Sequence, residues 1–295
     1  MNYKIISIKS FPMDMSGIFK SSETIIDTIL SIWHNYWDSL GLSPQEAYTA
    51  FDHHNNYKQN TSGKNRLEDF LLQELITQFS SQALSAPTAM EKTLITTPMN
   101  HIRDLVEFTV ACHLKKEEKS ALFNILSTII NTRKDEPETL DTVLAILIKS
   151  NNQINSYYTT EFHDTLCNIL TDIYTKSDGT AKEEILRIAK DKRMLTFINI
   201  LNNVVKNDEQ IMFIEKKLGL YFSILDTILY ALSNPSKLQD VINNLEQLAQ
   251  LGAFDLIEDL TRSSIFNMER FNFNNLISTT MGFDVRNMEI WKSKY

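Results

Sequence analysis

Six prolines punctuate this 295-residue chain, and from Pro44 onward they stand at the seams between apolar stripes. A proline inside a helix removes a hydrogen bond and clashes with the preceding turn. Prolines kept to the seams therefore leave the stretches between them free to be helical. "SPQE" at 43–46 reads as a helix start: Ser43 caps, Pro44 suits the first turn and Glu46 reaches back. Thr97-Pro98 and Asn234-Pro235 follow the same logic, and Glu136-Pro137 follows it with Asp135 as an alternative cap.

The stripes themselves have helical spacing. Ile25, Ile26, Ile29, Leu30, Trp33, Tyr36, Trp37 and Leu40 recur at three- and four-residue steps after Ser22, and Gly41 closes that helix. A further helix is predicted from about 67 to 79. Beyond Pro98 the pattern predicts helices near 99–115, 118–131, 137–149, 158–175, 181–205, 208–232, 236–249 and 252–262, joined by short connections. Short connections favour antiparallel hairpins. The stretch around Ile211 to Leu232 is apolar on most sides and is predicted to lie centrally. One short strand fits Tyr3 to Ile8. The fold class is therefore all-α: an irregular multi-helix bundle or stacked helical hairpins.

"LFNILSTII" at 122–130, "LCNILTDIY" at 166–174, "FINILNNVV" at 197–205 and "YFSILDTIL" at 221–229 echo one another. Paired apolar residues at i, i+1, i+4 and i+5 make a stripe wide enough to touch two neighbours, as stacked helices require. Their spacing is uneven, which favours an irregular stack over a solenoid of fixed period.

This organisation suggests an N-terminal helical region over 1–80 and a main helical domain over 98–266. Between them, residues 81–97 ("SQALSAPTAMEKTLITT") are rich in Ser, Thr and Ala and read as a linker or long loop. Residues 267–295 form a segment that alternates aromatics with asparagine.

Glycine limits the chemistry. There are seven, and no two lie within twenty residues of each other. A dinucleotide fingerprint, a phosphate-binding P-loop, a kinase glycine loop and a hydrolase serine elbow all need clustered glycines. Lys plus Arg is 29 against 37 for Asp plus Glu, a net charge of -8, so no basic footprint for nucleic acid is present. The two cysteines, Cys112 and Cys167, give no disulfide framework and suit a reducing compartment. The N-terminus has no long apolar core of an export signal, and no stretch is apolar for long enough to span a bilayer.

The remaining candidates for chemistry are few. Histidine is confined to the stretch from His34 to His163, so His- or Cys-based catalysis belongs to roughly the first 170 residues. Asp52, His53 and His54 open the polar stretch "DHHNNYKQNTSGKNR", which lacks any second ligand cluster and reads as a connecting loop. His163 and Cys167, at i and i+4, share a helix face beside an apolar stripe and read as core packing. Glu68-Asp69, Glu117-Glu118 and Glu183-Glu184 read as solvated faces. No catalytic residue, cofactor or metal ligand is assigned.

Aromatic anchors remain. Trp33 and Trp37 share one face of the first long helix, and the tail carries Phe271, Phe273, Phe283, Trp291 and Tyr295. Such residues pack into the chain's own core or dock on a partner. The partner-binding candidates are Trp33, Trp37, Phe271, Phe273, Trp291 and Tyr295.

In length, acidity, Asn/Ile/Thr-rich helices and lack of an export signal, the chain resembles DotZ-like cytosolic subunits of the Legionella Dot/Icm type IV coupling complex. The likeness is one of overall character; no motif carries it and no functional residue transfers. It implies a cytoplasmic adaptor or scaffold peripheral to an inner-membrane complex, recruiting effectors through protein contacts. The residues point the same way: a non-enzymatic, protein-binding chain with no nucleic-acid partner and no direct membrane insertion. The alternatives are a secreted bacterial effector that binds a host protein, and a helical enzyme using His34, His53, His54 or His163.

Overall fold

The structure, a computed structural model, describes residues 80–81, 83–111, 114–151, 159–268 and 271–295. The described residues are almost entirely helical, and the fold is all-α. The strand expected at Tyr3–Ile8 and the helices expected before residue 80 lie outside the described residues. The chain divides into two compact units, one ending at Ile173 and one beginning at Tyr174. This division falls within the stretch expected to be a single main domain, 98–266.

In the first unit the helices are α1 (Pro87–Leu94), α2 (Met99–Ala111), α3 (Lys116–Thr132), α4 (Pro137–Asn151) and α5 (Thr160–Lys176), the last of which carries the boundary. The expected linker contains α1. Pro87 occupies the first turn, where its missing N–H costs nothing, and Met90 and Leu94, one turn apart, are buried. Composition misled here: Ser and Thr are common, but Ala, Met, Glu, Lys and Leu are strong helix formers.

Met99 O accepts from Thr142 Oγ1 and Glu107 pairs with Lys149, so the contacts advance in step along α2 and α4. These two helices are therefore parallel, and the intervening α3 returns the chain. Ile102, Leu105, Val106, Leu122, Leu126, Ile130, Val143 and Leu147 are fully buried in this unit. Phe123 of α3 stacks on Phe162 of α5 with ring centroids 4.4 Å apart. The Leu-Ile echo buries its whole wide stripe in α3 and α5.

In the second unit, α6 (Gly179–Asp191), α7 (Leu195–Val204), α8 (Glu209–Ile228), α9 (Pro235–Gln250) and α10 (Phe254–Arg262) are followed by a two-residue hairpin and two short helices. The hairpin joins β1 (Asn267–Met268) to β2 (Phe271–Asn272), with Asn267 opposite Asn272. The last helices are α11 (Phe273–Met281) and α12 (Met288–Lys294). As the sequence suggested, α8 lies centrally: it packs against α6, α7, α9 and α10. Here the echo is buried only in part: Leu201, Ile224 and Ile228 are core, whereas Val204 and Leu229 are exposed.

The helix expected over 181–205 is two helices. At the break, Met194 N–H donates to Ala189 O at 2.8 Å and Arg193 N–H to Lys190 O at 3.0 Å. This is a Schellman closure with Arg193 in the left-handed region, φ 54°. The α9–α10 seam has the same bonds, Ala253 to Leu248 and Gly252 to Ala249, with Gly252 at φ 65°. Glycine marks that turn in the sequence; arginine, which pays a steric penalty in this region, gave no such signal.

Of the expected caps, Asn234 is realised, its Oδ1 accepting from Ser236 N–H at 3.0 Å ahead of Pro235. Glu136 instead turns to Arg133, which donates to both of its carboxylate oxygens. The asparagines of the tail are also caps and turn formers. Asn272 accepts from Asn275 N–H, Asn287 from Glu289 N–H, and Asn267 and Asn274 both donate to Thr261 O.

Candidate functional site

The one Cys-His pair that the structure describes is part of the core. His163 Nδ1 and Cys167 Sγ are 3.8 Å apart on one face of α5, both buried. Burial pushes the Cys167 thiol up to about 12, helped by the nearby Asp164 carboxylate. Burial also lowers the His163 pKa against the opposing pull of Asp164. A thiol held this firmly protonated is a poor nucleophile, because the thiolate is the reactive form. Among the described residues no group of three or more His, Cys, Asp or Glu is placed to hold a metal ion. No helix among them is long and apolar enough to cross a membrane. His34, His53 and His54 lie outside the described residues. Glu118, expected on a solvated face, accepts the Lys115 backbone N–H at 3.0 Å and closes the start of α3.

The aromatic anchors separate. Trp33 and Trp37 lie outside the described residues, as does the side chain of Phe271. Phe273 and Trp291, named as partner-binding candidates, are fully buried, so of the two readings these side chains allowed, packing into the chain's own core is the one the structure shows for them. Trp291 Nε1 donates to Val285 O at 2.8 Å, and its ring meets Phe283 edge-on with centroids 5.1 Å apart. An indole that finds both an acceptor and an aromatic wall within its own chain is a core residue. Tyr295 is at the rim, 36% exposed, and donates to Glu246 Oε1 at 2.6 Å.

Large apolar side chains are exposed elsewhere. Val204 ends α7 at 57% exposure, and Met212 and Phe213, in the first turns of α8, are at 49% and 45%. Asp208 starts α8 by accepting from Gln210 and Ile211 N–H. Asn202 Nδ2 donates to Glu215 Oε2 at 2.9 Å across the hairpin. That bond fixes the register and leaves Val204, Met212 and Phe213 between it and the connecting loop, at one end of the α7–α8 pair. Leu229 and Tyr230 are exposed in the 3-10 turn just past the far end of α8, roughly 25 Å away at the helical rise.

The Phe213 end has its own electrostatics. The Lys217 ammonium lies 4.1 Å from the centroid of the Phe213 ring. Its pKa is lowered first by desolvation and then by the charge of Lys190 on α6, while Asp255 opposes both. Further along, Gly219 is exposed within the helix, with no heavy atom within 4 Å of where a Cβ would stand. Along this stretch Met212, Phe213, Lys216 and Gly219 are exposed and Lys217 is half-buried. The sequence held one signal for it: a helix apolar on most sides has more apolar surface than its neighbours bury. What it could not show is which part is left over.

No protein-family model, curated protein or solved structure matches this chain.

Proposed function

We propose that this chain is a non-enzymatic adaptor subunit of a larger protein complex, docking a partner on the exposed face formed by Val204, Met212 and Phe213. The observation that carries this reading is the exposure of three large apolar side chains at one end of a single hairpin, in a unit that buries Phe197, Phe266, Phe273 and Trp291 completely. Apolar side chains grouped on a surface mark interaction sites more often than singly scattered ones do. Methionine and phenylalanine are also the adaptable and the anchoring type of contact residue. The resemblance in length, acidity and helix composition supports a type IV secretion coupling complex as the machine. The chain's part there is to hold subunits together and recruit effectors.

The test is purification of the tagged chain at native expression level, with sizing and mass spectrometry. A fixed set of co-purifying subunits, lost from the M212D/F213D variant and kept by a variant of the opposite end of α8, supports the reading. A chain that runs alone at 34.1 kDa overturns it.

A further inference from the structure

The face just described carries charge as well as apolar surface. Lys190 comes from α6, and Lys216 and Lys217 come from α8; Lys190 and Lys216 are exposed and Lys217 is half-buried. The two helices pack together, and Lys217 feels the like charge of Lys190. None of the three lysines forms an ion pair with a described residue. The carboxylates nearby are largely committed. Asp208 caps α8, Glu215 accepts from Asn202, and Asp255 acts on Lys217 only from beyond ion-pair distance. Glu209, in the first turn of α8, is exposed.

Resting on the adaptor reading, we propose that the occupant of this face is an acidic amphipathic helix of a partner protein, its apolar stripe on Met212 and Phe213 and its carboxylates on Lys190, Lys216 and Lys217. The charge pattern selects that occupant. Lys190 and Lys217 come from different helices, Lys217 feels the charge of Lys190, and neither forms an ion pair with a described residue, so an incoming anion gains attraction and relieves repulsion together. A free inorganic anion would satisfy the lysines and leave the apolar side chains wet. A neutral apolar surface would do the reverse and bury the cations unpaired. A helix with both features satisfies both halves, in the manner of helix-in-groove recognition. The exposed Gly219, bare of any Cβ, lets a partner backbone approach α8 closely at the end of the lysine run.

The test places the photo-crosslinking residue p-benzoylphenylalanine at position 213 in the full chain, with position 230 as the control, and maps adducts by mass spectrometry. The expected adduct at 213 lies in a Glu/Asp-rich segment of helical apolar spacing. Its yield falls about tenfold or more in K190E/K217E and also drops in the milder K190Q/K217Q. An adduct to a basic segment, a lipid or a second copy of this chain overturns the inference, as does a yield indifferent to both lysine variants. A complex that co-purifies without any adduct at 213 overturns this inference and the placement of the dock, and leaves the adaptor role itself standing. An unsubstituted chain that runs alone in the same purification removes both.

Discussion

Tyr221 donates its phenolic hydrogen to Asp259 Oδ2 at 2.7 Å, joining the middle of α8 to α10. The Arg193 guanidinium, from the α6–α7 turn, reaches Asp259 Oδ1 at 2.9 Å and lies 4.9 Å from the centroid of the Tyr221 ring. One carboxylate and one ring thus tie three segments of the second unit together. The tie is partly solvated, so its worth lies nearer that of one good hydrogen bond than that of a buried ion pair.

Replacing Tyr221 by Phe removes the hydrogen bond and keeps the ring under Arg193. The expected loss of stability is about 1 kcal/mol, read as a lower urea midpoint at unchanged slope. An unchanged midpoint would show that the bond contributes nothing. The tie also has an alkaline limit. Desolvation and the hydrogen bond to Asp259 raise the Tyr221 pKa above its ordinary value of 10. The unfolded chain therefore gives up this proton first as pH rises, and stability falls from about pH 10 upward. That alkaline fall should be shallower in Y221F.

Arg193 serves the tie at the expense of its own backbone, since its φ of 54° is unfavourable for any residue with a Cβ. Arg193→Ala loses the ion pair and the cation–π contact and keeps the strain. Arg193→Gly loses the same contacts and relieves the strain. The glycine variant should therefore be the more stable of the two by about 1 kcal/mol in parallel denaturation curves. Equal stabilities would mean that the turn has relaxed away from the left-handed region.

Two glycines should respond to alanine with opposite signs. Gly252 holds a left-handed φ of 65°, and alanine there should destabilise by about 1 kcal/mol. Gly219 is helical and uncrowded, and alanine there should stabilise by roughly 0.5–1 kcal/mol. Thermal melts of both variants check the pair, and a destabilised G219A would show that the site is more crowded than the helix face suggests.

His163 is buried, and its pKa is lowered by desolvation, with Asp164 partly opposing. As pH falls below about 6.5 the unfolded chain takes up this proton before the folded one does, so stability declines toward acid. His163→Gln should flatten that part of the pH–stability profile between pH 7 and pH 5. A wild-type profile already flat there would remove histidine burial as a source of acid sensitivity.

Trp291 is the largest fully buried side chain described. Trp291→Ala should cost about 3–5 kcal/mol, enough to loosen α12 from α10 in hydrogen exchange. Protection of 288–294 equal to that of the wild type would show that α12 is held by Tyr295–Glu246 and its neighbours instead.

Much of the fold was readable in the residues. Pro137 and Asn234-Pro235 marked starts that the structure keeps, and the helices near 118–131, 137–149 and 236–249 fall within a few residues of their expected places. Three features were not readable. Arg193 closes a helix from a left-handed conformation that sequence assigns to glycine. Residues 87–94 are helical because Met90 and Leu94 find a core, which a Ser/Thr-rich composition hid. Which aromatic and apolar side chains are covered was the third: Phe273 and Trp291 are buried, while Met212 and Phe213 are exposed.

The sequence by itself determined the helices, because periodicity, capping and proline placement act within a few residues and need no distant partner. It also limited the phosphate-binding and nucleophile-elbow chemistries, since these require local glycine clusters that the chain lacks. Only the tertiary structure decided which apolar faces are covered. Burial depends on residues far apart in the chain meeting in space, and an apolar stripe looks the same in sequence whether a neighbouring helix covers it or, as at Met212 and Phe213, no described helix does.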